Sequence, residues 1–182
     1  MSRTKSFSVA LGVVMAGMLA ACASAPESRP DQTALEARAN AVIESMVAKD
    51  PTLAQVLEDS AGYVVFPQVA EAGFIVGGSN GIGVLYENGR ATGYSELYEG
   101  TLGLQLGGQS FSELVVFQNE AALDRFKAGN FDLTAGVTAV AIQSGAGAQA
   151  RFEGGVAVFV ADETGLMAGA TVGGQTMSYT AK

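Results

Sequence analysis

Few residues in this chain are of a type that does chemistry, and their spacing narrows the choice further. There is no histidine and only one cysteine, Cys22. Without histidine neither a Ser-His-Asp triad nor a His-based zinc site can be built. Ser95 stands in Gly93-Tyr94-Ser95-Glu96-Leu97, which lacks the second glycine of a nucleophile elbow and offers no base to the hydroxyl. After Lys5 the lysines are Lys49, Lys127 and Lys182, none in a context that suggests a Ser-Lys pair. Glu96 with Glu99, and Asp162-Glu163, are paired carboxylates of the kind glycoside hydrolysis needs, but an acidic composition produces such pairs on any surface. Gly77-Gly78-Ser79-Asn80-Gly81-Ile82-Gly83 has the glycine content of a phosphate cradle. Yet Val84-Leu85-Tyr86 follows as strand and not helix, the Gly-x-Gly-x-x-Gly order is absent, and no Lys-Ser or Lys-Thr closes the loop. The expectation is a non-enzymatic chain with no catalytic residues, no metal and no cofactor.

The whole chain has 182 residues, 48% hydrophobic and 15% charged, which excludes a disordered tail and suits one domain with a real core. Ten basic residues stand against 18 acidic ones, a formal charge of -8. That balance argues against nucleic acid as a partner, and against attachment to anionic lipid by bulk charge.

The cysteine is the end of an address. Arg3 and Lys5 make a basic start, and an apolar run from Phe7 to Ala20 follows. Its length, about 14 residues, is that of a signal-peptide core and short of a membrane-spanning helix. The run closes in Leu19-Ala20-Ala21-Cys22, which resembles a bacterial lipoprotein signal. The resemblance implies cleavage between Ala21 and Cys22, and attachment of acyl chains (diacylglycerol and palmitate-type) to Cys22. Several acyl chains on one residue make a stable anchor, and they consume the only thiol. Ala23 follows the cysteine in place of the Asp that resembles an inner-membrane retention signal. The expected location is therefore the cell envelope, on the inner leaflet of the outer membrane, facing the periplasm.

Residues 22–30, with Pro26 and Pro30, read as a flexible tether. Asp31 is the expected N-cap of a helix through Lys49, with Leu35, Val42, Ile43, Met46 and Val47 on one face, expected to pack onto a sheet. Asp50-Pro51 restarts a short helix ending near Asp59. No glycine lies between Cys22 and Ala61, whereas glycines recur from Gly62 onward, so helices precede a strand-rich body. Expected strands are Tyr63 to Phe66, stopped by Pro67, and then Gly73 to Gly77 and Ile82 to Glu87 about a turn at Ser79-Asn80-Gly81. Asn88-Gly89 is a hairpin signal. Leu102, Leu104 and Leu106 alternate with smaller or polar residues, and Leu114 to Phe117 is a further strand. Asn119 caps one more helix, closed by Gly129. Later strands are expected near Leu133 to Gln143, Ala148 to Val160, Gly165 to Val172 and Gln175 to Tyr179. The implied fold class is α+β, a glycine-rich, largely antiparallel curved sheet or barrel with N-terminal helices and one further helix packed against it.

Gly62-Tyr63-Val64-Val65-Phe66-Pro67, then Ala72-Gly73-Phe74-Ile75-Val76-Gly77-Gly78, resemble the opening blocks of the SYLF (Ysc84-like) lipid-binding domain. Gly81-Ile82-Gly83-Val84, Gly93-Tyr94-Ser95, Gly103 through Phe111 and Gly165-Leu166-Met167-Ala168-Gly169 continue it in family order. The resemblance covers residues 31–182 and implies one domain with lipid binding as its activity. Eukaryotic members bind phosphoinositides, partly through a basic amphipathic N-terminal helix, and some bind actin. Here that helix is mixed in charge, Ser60-Ala61 and Glu71 stand where basic residues are frequent, and Tyr94 replaces a tryptophan. Phosphoinositide specificity and actin binding are not carried over.

The reading is thus a membrane-anchored periplasmic lipoprotein: 1–21 signal peptide, 22–30 tether, 31–182 a single SYLF-like domain that binds phospholipid or another amphiphile. Candidate lipid contacts are the aromatics Phe74, Tyr94, Tyr98 and Phe111. The alternative is a structural or partner-binding envelope protein with no lipid site of its own.

Overall fold

The computed structural model describes residues 26, 28–73, 76–102, 107–129, 131–133, 139–162 and 174–182. Two helices, α1 (Arg29–Lys49) and α2 (Thr52–Glu58), precede four long strands, β1 (Gly62–Gly73), β2 (Val76–Glu87), β3 (Arg90–Leu102) and β4 (Gly107–Phe117). Helix α3 (Glu120–Lys127) follows, then β5 (Phe131–Asp132), β6 (Ala139–Ala141), a 3₁₀ turn (Gly147–Gln149), β7 (Val156–Asp162), β8 (Gln175–Met177) and β9 (Thr180–Ala181). The strands form one sheet in the order β5-β8-β3-β2-β1-β4-β7-β6, with β9 paired to β3. All pairings are antiparallel except β6 with β7. The α+β class with a curled, mostly antiparallel sheet is as the sequence implies.

Alternation along the strands sends side chains to two different cores. Val64, Phe66, Leu85, Leu97, Val115 and Phe117 face the concave side, where Leu123 and Phe126 of α3 close one end. Val65, Val84, Leu114, Val116, Tyr86 and Tyr94 face the convex side and pack beneath Leu35, Ala39 and Met46 of α1. The apolar face of α1 therefore packs on the sheet. The Tyr86 hydroxyl donates to Asn40 Oδ1 at 2.9 Å and the Tyr94 hydroxyl to Glu36 Oε1 at 2.8 Å, so both buried rings keep a polar partner. Gly83 lies on the concave side, where a Cβ would stand 2.7 Å from the Phe66 ring. Its missing side chain lets β1 and β2 curl around that ring.

Several local expectations are corrected. Helix α1 is capped by Ser28, whose Oγ accepts from Asp31 N; Asp31 sits in the first turn, where its charge favours the helix N-terminus. Pro67 does not end its strand. It lies where the β1 register shifts against both neighbours, a bulge in which the missing N–H costs no ladder bond, and its carbonyl accepts from Ser112 Oγ at 2.8 Å. Ser79-Asn80-Gly81 is no turn but mid-strand, paired with Glu99, Tyr98 and Leu97. The hairpin at Asn88-Gly89 forms as expected, with φ of 50° and 71°. Residues 148–155 are not strand; β7 starts only at Val156. The proposed strand at 165–172 and the alternation at Leu104 and Leu106 lie outside the described residues.

Asp50 explains the last departure. Fully buried, it accepts hydrogen bonds from Thr52 N (3.1 Å) and Oγ1 (2.7 Å), which start α2, and from Gly145 N (3.0 Å) and Gly147 N (2.6 Å). A Cβ on Gly147 would stand 2.9 Å from Leu53 N, so only glycine lets the two segments approach this closely. Burial disfavours the Asp50 charge, but the donors from Gly147, Thr52 and Gly145 outweigh it and hold the carboxyl below its ordinary value of 3.8. Its stabilising contribution is thus present above that pH and lost as the pH falls further. Asp50→Asn is expected to cost about 2–3 kcal/mol in urea unfolding at neutral pH, since two amide donors lose a charged acceptor. The gap between variant and wild type should close on acidification below 3.8.

Candidate functional site

Concave and convex faces each offer a site. On the concave face Gln175 of β8, Glu99 of β3 and Ser79 of β2 pair in one row, which continues by backbone register to position 71 of β1 and position 109 of β4. The next row toward α3, with Met177, Leu97, Gly81, Val69 and Phe111, has no polar side chain. Glu113 lies in β4 opposite Phe66 and Val160 and is completely buried. Gln175, also completely buried, donates through Nε2 to Glu113 Oε2 at 3.1 Å and to Glu99 Oε2 at 3.2 Å. Three strands lie between β8 and β4, which on a flat sheet would put these residues more than about 19 Å apart. The hydrogen bond thus measures the curl, since the two strands meet across the concave interior.

The arrangement is rich in acceptors. Glu113 Oε1 and Gln175 Oε1 are buried without a hydrogen-bond partner. Burial pushes the Glu113 carboxyl up to about 8; the Gln175 amide pulls it down, and the Glu99 charge adds to the rise. Glu113 is not among the residues singled out from sequence. Its signal was there, since Phe111, Glu113, Val115 and Phe117 form an apolar alternation broken by one carboxylate.

On the convex face a groove of about 240 Å³ opens where α1 crosses the β1 bulge. Leu35, Pro67 and Ile82 make its apolar floor, and Arg38, Gln68 and Asn80 are polar groups at its edge. It exists because the bulge at Pro67 lifts β1 out of register beneath the helix. At that volume it takes a head group or part of an acyl chain, not a whole phospholipid.

The residues singled out from sequence do not share a surface. Tyr94 is buried on the convex side beneath α1, and Phe111 is buried on the concave side. Tyr98 is 43% exposed and donates to Glu96 Oε2 at 3.1 Å. Phe74, Ala21, Cys22 and Glu163 lie outside the described residues. Ser95 is buried on the concave strand face with its Oγ unpartnered, and the neighbouring Glu96 belongs to the opposite face.

The Glu113 shift has a measurable consequence. A carboxyl held above its ordinary 4.5 contributes stability that is whole below that value and is lost as the pH rises through about 8. Wild-type protein should therefore unfold at lower urea at about pH 8 than at about pH 5, and Glu113→Gln should flatten that slope. An unchanged slope in the variant would mean that Glu113 does not carry it.

Two comparisons with known proteins bear on this chain. A curated relative, the beta cell expansion factor A of Aeromonas veronii, is 26% identical over 152 residues, covering 79% of this chain and 57% of that protein. The chain thus spans little more than half the length of this relative. Residues 98–181, which hold Glu99, Glu113 and Gln175, match the family described as Ysc84, Las17-binding protein actin regulator.

Proposed function

We propose that the chain is an envelope lipoprotein, anchored through acylated Cys22 at the inner leaflet of the outer membrane. In this reading residues 31–182 form one SYLF-like domain that binds phospholipid or another amphiphile without catalysing a reaction. The observation that carries the reading is the convex groove, an apolar floor of Leu35, Pro67 and Ile82 beside the Arg38 guanidinium. That combination suits an amphiphile: the floor takes apolar surface, and the guanidinium bonds a phosphoryl oxygen in a fork. The seven-residue step from Cys22 to the start of α1 at Arg29 spans at most about 25 Å when extended, so an anchored chain holds the groove within reach of the head groups.

The test uses the chain from residue 22 with Cys22→Ser, which keeps every described residue and removes the anchor. Co-sedimentation with phosphatidylglycerol vesicles should persist at high salt, because apolar contact contributes to it. Arg38→Glu should weaken it about tenfold, the worth of one charge-assisted contact. In cells, Cys22→Ser in the full chain should abolish lipid labelling of the protein. If neither the unanchored chain nor its variant sediments with vesicles, Cys22 is the sole membrane contact and the partner-binding alternative takes over.

A further inference from the structure

We propose that the cleft between the last turn of α2 and the Asn88-Gly89 hairpin is a binding site for a sugar ring. It shares no residue with the convex groove and does not depend on the amphiphile reading. The cleft holds about 420 Å³, and its larger side chains are Leu57, Glu58, Ser60, Tyr63 and Asn88. Each of these residues, with its neighbours in the chain, is among the described residues. Gly62 makes the cleft possible. A Cβ there would stand 3.0 Å from the Tyr86 carbonyl oxygen, so glycine lets the chain leaving α2 run against the end of β2. Tyr63 follows as an aromatic wall. Its ring stacks on Tyr86, with centroids 5.4 Å apart and planes within 14°, and Tyr86 itself does not line the cleft.

The lining chooses among ligand chemistries. Among the described residues Glu58 is the one charged side chain in it, and no lysine or arginine lines it. Phosphate and carboxylate are therefore repelled. An acyl chain would cover Glu58, Asn88 and the Tyr63 hydroxyl without giving them a partner. A sugar ring suits both parts of the lining. Its C–H surface packs on the Tyr63 ring and Leu57, and its hydroxyls donate to Glu58 and exchange hydrogen bonds with the Asn88 amide. Among the described residues no hydrogen bond engages the side chains of Glu58, Tyr63 or Asn88, so all three are left to a ligand. Burial raises the Tyr63 hydroxyl above its ordinary value of 10.0, which keeps it a donor. The Ser60 hydroxyl donates to the Leu57 carbonyl at 2.7 Å and keeps its lone pairs for a ligand hydroxyl. Cleavage of the sugar would need a pair of carboxylates, and the lining supplies Glu58 alone. The volume is that of a small-molecule site, which fits a short saccharide.

Saturation-transfer NMR on the full chain tests this, with the methyl glycosides of glucose and N-acetylglucosamine as probes and sorbitol as control. Sorbitol carries hydroxyls but has no ring surface to pack on Tyr63. At least one glycoside should bind through its ring C–H protons, about tenfold more tightly than sorbitol. Tyr63→Leu should weaken that glycoside about tenfold, and Asn88→Gly about fivefold, the worth of one neutral hydrogen bond. Asn88 has a φ of 50°, a conformation that glycine adopts freely, so Asn88→Gly serves as the test should Tyr63→Leu fail to fold. Equal binding of glycosides and sorbitol, or no binding of any of them, would overturn the site. So would glycoside binding that the folded variants leave unchanged. The source of the sugar is read separately on insoluble cellulose and chitin. Retention that Tyr63→Leu or Asn88→Gly weakens assigns the site to a polymeric glycan, and glycoside binding without retention assigns it to a free saccharide.

Discussion

The curl of the sheet is the constraint on which the other features depend. It brings β8 against β4 across the interior, so that a glutamine on one strand bonds a glutamate on the other. A flatter sheet would expose Val64, Leu85 and Val115 to water, and α3 would have no cavity to close. The curl is possible because Gly83 leaves room for the Phe66 ring and because the bulge at Pro67 bends β1. The interior is thus apolar near α3 and polar at its other end, where Gln175 pairs with Glu99 and the two flanks of the sheet converge.

That polar end is energetically unusual. Replacing a buried polar pair by apolar groups of similar volume is often neutral or favourable, so stability alone does not account for Glu113. The carboxylate lies opposite Phe66 and Val160, a place that Leu or Val would fill without an unpaired oxygen. Asp50 is the opposite case. It is equally buried, but four donors surround it, and it joins α1 and α2 to the turn before β7. One buried carboxyl is held charged by the donors it gathers, and the other is pushed toward its neutral form by burial.

The pattern of elements was legible where local rules decide. The apolar face of α1, the Asn88-Gly89 hairpin, the Asn119 cap and the antiparallel sheet all follow from spacing and turn chemistry. Expectations failed where distant contacts decide. Pro67 reads as a stop but is absorbed by a bulge between two neighbouring strands. Ser79-Asn80-Gly81 reads as a turn, yet Gly81 and Gly83 are small because β1 packs closely over them. Residues 148–155 read as strand, but Asp50, almost a hundred positions earlier, captures the turn that precedes them. The site was less legible than the fold for the same reason. Aromatic content pointed to Tyr94 and Phe111, which are core residues on opposite faces, whereas Glu113 was marked only by a break in alternation.

The sheet keeps the guanidinium of the groove and the buried carboxyl apart. Arg38 lies at the edge of the convex groove, and Glu113 lies on the concave side. A layer of strands and the side chains on both of its faces separate them, with sheet and helix layers packing about 10 Å apart. A zwitterionic head group, a few atoms across, cannot reach both. Selection at the groove therefore rests on Arg38 beside the apolar floor, a combination that suits a phosphoryl oxygen next to apolar surface. Bulk charge does little of that selection: with 18 acidic residues against 10 basic ones, the chain as a whole is repelled by an anionic surface, but only within about one Debye length of 8–10 Å. What remains at contact is the local pattern, a guanidinium beside an apolar floor.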